Sequence, residues 1–519
     1  MVIVVVLGTR LTFFNDDWYF LLQRPGLASQ PGVDELLAPH NGHLELFPAI
    51  FYEVLSAAFG LDAQLPFRLL LGLGIAAVGV GVYALVAPRH GAIPALCAAA
   101  IVLLLGPAWE ALLLFNSISI MGSLAFGLGA LWALQEDSLR RNAAACALLL
   151  GSVCMSNGGI PFIAAAAVAI LLRRRPKQAW IPAIPAVVFG AWYAAYGHTA
   201  KSYVSAENLA DLPKYVLDSA AMGLTSIAGV NRGVYVEHYT RGYVLLALLA
   251  PLMALRVVRR GRPPAFTLVV ASAALGFWML TGISYAPGRE PFASRYQLID
   301  GALILVIVAA FFAPLQPARA TVAAIVVATA VAVALNLETL FDDGYPFMRT
   351  QSEFAKVDLG ALEIAGSRAA PNTWLIEAVA RNPFLSGVTA ERYFTVTGKK
   401  DPPPVASPEE TAAAPPEQRQ AADSVLANAY GIARGPLRAP ADCRAVQGTT
   451  VSLARGDAFV TNPGTQPVVL SVRRFAPPDR ASNVAFVAPD STTRIRIPRD
   501  SVALPWRLGA SGNARICLA

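Results

Sequence analysis

Long apolar runs broken by short polar turns fill the first two thirds of the chain. Those at 66–87, 92–106, 118–134, 179–196, 243–258, 265–283, 297–315 and 320–337 approach the roughly 20 residues that a helical crossing of a bilayer needs. The run from Asn142 to Leu172 is interrupted by Ser156-Asn157-Gly158-Gly159 with Pro161 behind it, all turn residues, and predicts a helical hairpin of two short legs. Backbone that is not helical at such depth must be surrounded by protein or line a watery cavity. The first run, Met1 to Phe14, is short for a crossing: either the first helix is short or the true start lies upstream, and the second is preferred. It has neither a basic start nor a small-residue cleavage site, so no cleavable signal peptide is expected.

Between these runs, Leu44, Phe47, Ile50, Phe51, Val54, Leu55 and Ala58 recur at three- and four-residue spacing. They predict an amphipathic helix on the outer bilayer surface, with Pro48 in its first turn. Past residue 340 the pattern changes. Residues 350–395 carry mixed helical signals, and 400–420 is a Pro-, Ala- and Glu-rich linker or exposed loop. From 443 onward short alternating runs such as Val468-Val469-Leu470-Ser471-Val472 and Arg494-Ile495-Arg496-Ile497, with turns such as Asn462-Pro463-Gly464 between them, predict a small antiparallel β-sandwich at about 440–519.

Composition sharpens this picture. Of 519 residues 55% are hydrophobic and 14% charged, against about 25% charged in soluble domains. The chain therefore reads as a polytopic α-helical membrane protein. The net charge of +7 carries no nucleic-acid signal, because the basic residues sit in short loops where they set orientation. Arg89, Arg140 with Arg141, Arg173 to Lys177, Arg256 to Arg262, and Arg319 all fall on one side, taken as cytoplasmic. With the 142–172 hairpin counted as two, about eleven spans result, with the N-terminus inside and the 15–66 loop and everything after Glu338 outside. A transmembrane region 1–340 and an extracytoplasmic α/β region 341–519 are the expected domains. Cys97, Cys146 and Cys154 lie in apolar runs as small core residues. Cys443 and Cys517 bracket the sandwich. Outside the membrane they suit a disulfide closing roughly 75 residues, worth about 4 kcal/mol on the chain-entropy model; two free thiols are the alternative.

The candidate chemistry gathers on the outer side. Asp16 and Asp17 follow the first apolar run among Phe13, Phe14, Trp18, Tyr19 and Phe20, aromatics suited to the membrane boundary. A carboxylate at that height can serve as general base on an acceptor hydroxyl; the alternative is a solvated helix end. Glu110, the lone ionisable group between Gly91 and Gln135, is either an interface anchor beside Trp109 or a group that orients acceptor or metal. His40, His43 and Glu45 have metal-like side chains, but their spacing matches no known signature, and hydrogen bonding to substrate is the favoured role. Arg289, Arg295 and Tyr296 precede a span on the outer side, against the orientation bias, and suit a phosphate; the alternative is a salt bridge of the arginines to Glu290 or Asp300. The clear spans hold almost no charge at mid-depth, which argues against an ion-coupled carrier.

This pattern resembles the GT-C superfamily of membrane glycosyltransferases. The acidic pair after the first apolar segment, the outer amphipathic helix, Glu110 on the second outer turn, Ser294-Arg295-Tyr296, and a polar C-terminal region carry the resemblance. A transmembrane part followed by a β-sandwich is similar to bacterial arabinosyl- and mannosyltransferases of cell-envelope polysaccharide assembly. The short first helix departs from the pattern. The lack of a Trp-Trp-Asp motif argues against an oligosaccharyltransferase. The resemblance implies a polyprenyl-phosphate-sugar donor, a glycan or lipid acceptor, and a multi-pass place in the bacterial cytoplasmic membrane. Asp16 or Asp17 is then the base and Arg295 with Arg289 the phosphate-stabilising pair, with a divalent cation, Mg or Mn, as an open accompaniment. A lipid-linked glycan flippase and a non-catalytic glycan-binding scaffold are the competing readings.

Overall fold

The computed structural model describes residues 2–13, 16–23, 33–313, 317–373, 375, 385, 388–398, 402–436, 444–446, 450–453 and 456–518. Contacts divide the chain into two compact units. One comprises Met1–Arg10, Leu27–Leu55 and Gln64–Met348; the other comprises Leu11–Gly26, Ser56–Ala63 and Arg349–Ala519.

The first unit is helical. Among the described residues, six helices are long and apolar enough to cross a membrane, or seven if the bent pair Ala92–Leu103 and Gly106–Leu113 is one span. About eleven spans are expected from the sequence. The difference lies in segments such as Leu139–Met155, Ile160–Leu172 and Trp180–Ala195, whose helices of 17, 13 and 16 residues are shorter than the roughly 20 residues of a typical crossing.

The break expected at Ser156–Gly159 is present. The Ser156 hydroxyl accepts from the Gly158 N–H at 3.1 Å, and a one-turn 3-10 helix covers Asn157–Gly159. Gly159 is required there, because a Cβ would meet Ser152 C and Val153 N at 2.6 Å. The two flanking helices do not drift apart from their neighbours: the Ser152 hydroxyl donates to Ser123 O at 2.7 Å, a buried bond between helices 118–133 and 139–155. Such bonds suit helices that cannot rely on the hydrophobic effect for association. A second buried network runs through Ser226, Gln297, Asn231 and Asn336. The Asn336 amide donates to Ser226 O and its oxygen accepts from Gly106 N–H, both at 3.1 Å.

The helix expected over 44–58 forms at Leu46–Phe59, with Pro48 as its third residue. Ala49, Tyr52, Glu53 and Ser56 make its buried side, while Val54 and Phe59 are exposed. Tyr52 packs edge-on to Phe115, which packs edge-on to Phe67.

Among the described residues the second unit contains the helices Ala390–Thr397, Pro408–Ala413 and Pro416–Tyr430 and nine strands: β1 Ala433–Pro436, β2 Arg444–Val446, β3 Thr450–Leu453, β4 Gly456–Asn462, β5 Val468–Arg473, β6 Ser482–Val487, β7 Ser491–Ile497, β8 Trp506–Ala510 and β9 Arg515–Leu518. They form two antiparallel sheets, in the orders β1-β7-β4-β9-β2 and β3-β8-β5-β6. Alternate residues such as Val460, Leu470, Val472, Ile495 and Leu508 are buried, as two inner faces demand. Trp506 and Phe475 lie in that core. Cys517 is disulfide-bonded; Cys443 lies outside the described residues.

Candidate functional site

Glu110 is the second residue of the short helix Trp109–Leu113 and is only 3% exposed. Its carboxylate accepts from the Tyr235 hydroxyl at 2.6 Å and from the Arg295 N–H at 3.1 Å, and its own N–H donates to the Ser294 hydroxyl at 2.9 Å. The helix Ser294–Phe312 thus receives its N-terminal cap from a distant turn. Helix N-termini expose unpaired N–H groups and a partial positive charge, so a buried carboxylate is stabilised there. The Arg295 guanidinium stands 3.8 Å from the same carboxylate, so the arginine's ion pair is with Glu110 and not with Glu290 or Asp300.

Arg295 is half-buried, and its guanidinium also donates to Gly288 O and lies 5.2 Å from the Tyr296 ring centroid. Arg289, in the same turn, donates to Ser284 O at 3.0 Å and lies 5.0 Å from the Tyr203 ring centroid. The Lys201 ammonium approaches the same ring at 4.9 Å. Each contact uses only part of a guanidinium's five donors. The residues 284–296 therefore present two arginines on a turn that backbone bonds hold firm: Ala293 N–H to Glu290 O and Tyr296 N–H to Ala293 O. Tyr296 packs edge-on to Phe277.

Tyr235 was not legible as a site residue. Its backbone is left-handed, with φ 55°, which is costly for a bulky side chain. Compensation comes from the bond to Glu110 and from edge-on contacts with Trp109 and Phe347 at 5.4 and 5.8 Å. Burial, followed by the neighbouring Glu110 charge, pushes its phenol well above the usual range. Its loop is further tied by an Arg232–Glu338 ion pair and by the Gly233 N–H donating to Asp343 at 2.8 Å.

His40 and His43 face each other across a tight turn: each N–H donates to the other's carbonyl, at 3.0 and 2.8 Å. Asn41 and Gly42 between them have φ 50° and 83°, the Asn-Gly signature of a type I′ hairpin turn. His43 Nδ1 accepts from Asn157 N–H at 3.4 Å, and the Asn157 amide donates to Gly42 O at 2.7 Å. The turn is thus fastened to the break between helices 139–155 and 160–172. Glu45 is buried just beyond it. No group of three or more His, Cys, Asp or Glu side chains able to hold a metal is found among the described residues.

The acidic pair belongs to the second unit. Asp16–Trp18 forms a single helical turn. Asp17 is 0% exposed and Asp16 is half-buried. Trp18, expected at the membrane boundary, is instead a core residue: its indole N–H donates to Phe13 O at 2.9 Å, and its ring contacts Phe13 and Tyr393. With its one polar group satisfied inside, the indole has no need of an interface. Tyr393 in turn donates to Glu363 at 2.8 Å, and Thr12 N–H donates to the Ser352 hydroxyl at 2.8 Å. Residues of the first polar stretch are therefore packed with the C-terminal unit, a pairing across more than three hundred positions that no local pattern announces.

No family model matches the chain, and no curated protein matches it. A solved structure does: the crystal structure of ArnT from Cupriavidus metallidurans bound to undecaprenyl phosphate. Identity is 15%, the match covers 80% of this chain and 87% of that one, and the TM-score is 0.47.

Proposed function

We propose that the protein is a membrane glycosyltransferase of the GT-C kind, moving a sugar from a polyprenyl-phosphate donor to a cell-envelope glycan or lipid acceptor on the outer face of the cytoplasmic membrane. The observation that carries this reading is the turn at 284–296. It holds Arg289 and Arg295 at the end of an apolar helix, with Glu110 and two backbone carbonyls taking only part of their donors. A cationic turn at a span end suits a phosphate whose lipid tail lies among the helices.

In the reaction a carboxylate takes the proton of the acceptor hydroxyl. The hydroxyl oxygen attacks the anomeric carbon, and the bond from that carbon to the phosphate oxygen breaks. The electron pair leaves on the polyprenyl phosphate, where Arg295 and Arg289 stabilise the growing charge. Asp16, half-buried, is assigned as the base. Asp17, sealed from solvent, holds the segment in place. Tyr296 lines the phosphate side, and Glu110 positions Arg295. Buried His40 and Glu45 and half-buried His43 form a shelf around the 40–43 turn. Among the described residues no three His, Cys, Asp or Glu side chains converge on one cation position.

The test is transfer of labelled sugar from a panel of polyprenyl-phosphate donors in membranes carrying wild type, Asp16→Asn or Asp17→Asn. Asp16→Asn should lose about 10²- to 10⁴-fold in rate at unchanged protein level, while Asp17→Asn should lower the level of folded protein. Wild-type rates in Asp16→Asn would sink the assignment.

A further inference from the structure

The outward face of the β3-β8-β5-β6 sheet has a chemistry of its own. Residues directly opposite in an antiparallel pair share a face, so the register defines it. Ser452 stands opposite Arg507, and Arg507 opposite Arg473. The next row is Thr450, Gly509, Ser471 and Asn483, and beyond it Val469 stands opposite Phe486. The residues alternating with these, Val451, Leu508, Leu470, Val472 and Val487, are buried. Those on the outward face are exposed or half-exposed.

Three features of this face are unusual together. Arg473 and Arg507 oppose one another across neighbouring strands, an arrangement that repels. None of the four strands contains an Asp or Glu, and neither arginine has an ion pair among the described residues. Gly509 sits in a central strand, where a missing side chain weakens the sheet and lets a ligand approach closely. Phe486 is 72% exposed on the edge strand, one row beyond the polar row, too open for a packing role in the sheet. Rows along a strand repeat at about 6.7 Å and strands at about 4.8 Å, so the arginine pair and the ring lie about two rows apart, the reach of a short chain of sugar rings.

We propose that this face binds an acidic saccharide. Its carboxylates or phosphates would lie against Arg473 and Arg507, its ring over Gly509 with hydroxyls meeting Thr450, Ser471 and Asn483, and a further ring on Phe486. Opposed arginines with no ion pair among the described residues are complementary to an anion, and the hydroxyl-and-amide row around a glycine suits a polar ring better than an acyl surface or an apolar peptide. The proposal rests on the glycosyltransferase reading only in making a glycan the natural partner, and its test needs no transfer.

Full-length protein in detergent is titrated with a galacturonate oligosaccharide, a size-matched neutral galactose oligosaccharide, and vesicles of anionic phospholipid. The galacturonate should bind, more weakly as salt rises, and the neutral sugar far less. Arg473→Gln combined with Arg507→Gln should weaken binding about tenfold or more. Gly509→Val and Phe486→Ala should each weaken it, and Arg496→Gln, an exposed arginine of the other sheet, should not. A thermal melt of each variant separates lost binding from lost fold. Equal binding of the neutral sugar, equal loss in Arg496→Gln, binding to vesicles alone, or no binding to any probe would each overturn the proposal. A protein that binds galacturonate yet transfers no sugar would leave this site standing and remove the catalytic reading.

Discussion

Glu110 shows how much one side chain can decide. It accepts from Tyr235 and Arg295, and its N–H is held by Ser294, so three segments distant in sequence meet at one buried carboxylate. Replacing it by alanine removes the acceptor of the exposed Tyr235 hydroxyl, which water can replace, and of the helix N-terminal N–H of Arg295, whose loss costs about 1–3 kcal/mol. Glu110→Ala is therefore expected to lower the melting temperature in detergent clearly more than Tyr235→Phe, which removes one donor and costs about 1 kcal/mol. Equal melts for both variants would mean that the Arg295 cap contributes nothing. The sequence marks Glu110 as an isolated charge; it gives no sign of Tyr235, because a lone Tyr in a Gly- and Asn-containing loop has no local pattern to flag it.

At the scale of elements, glycines decide where helices stop. Gly159→Ala puts a Cβ 2.6 Å from helical backbone that cannot swing aside, and the overpacking should cost about 1–3 kcal/mol. Gly190, within Trp180–Ala195, has open space around its Cβ position, so Gly190→Ala should instead stabilise by up to about 1 kcal/mol. Thermal melts of the two variants side by side check the opposite signs. The break at 156–159 was legible because turn residues cluster there. Its second role, as the seat of the 40–43 turn, depends on Asn157 meeting Gly42 from a position 115 residues away.

For the molecule as a whole, the C-terminal unit carries two buried carboxylates with opposite pH responses. Asp423 accepts from the N–H groups of Arg474, Phe475 and Ala476, yet burial outweighs them and pushes it up to about 6. A folded-state value above the unfolded one, about 3.9, gives stability that is full below that unfolded value and is lost as pH rises through about 6. At Asp500 burial also raises, but the paired Arg474 and the Tyr430 hydroxyl prevail and hold it below the usual carboxylate range. Its contribution is present above the unfolded value and is lost as pH falls through the lowered one. Melts between about pH 4 and about pH 6 should therefore show wild type losing stability more steeply than Asp423→Asn, which cannot titrate. Parallel profiles would show that Asp423 is not the group responsible.

Hydrophobic pattern by itself determined the apolar helices, the interruption at Ser156–Gly159, the Leu46–Phe59 helix and the alternating strands of the two C-terminal sheets, because each rests on periodicity within a few neighbours. Basic and acidic outliers likewise pointed to Arg295 and Glu110 one at a time. Only the tertiary structure decided that these two pair across 185 positions, that Trp18 is core and not interface, that Asp17 is sealed while Asp16 is half-buried, and that Arg473 faces Arg507. Such partnerships depend on strand register and helix packing, which are set by the sum of many weak contacts across the folded chain and leave no trace in the spacing of either partner's neighbours.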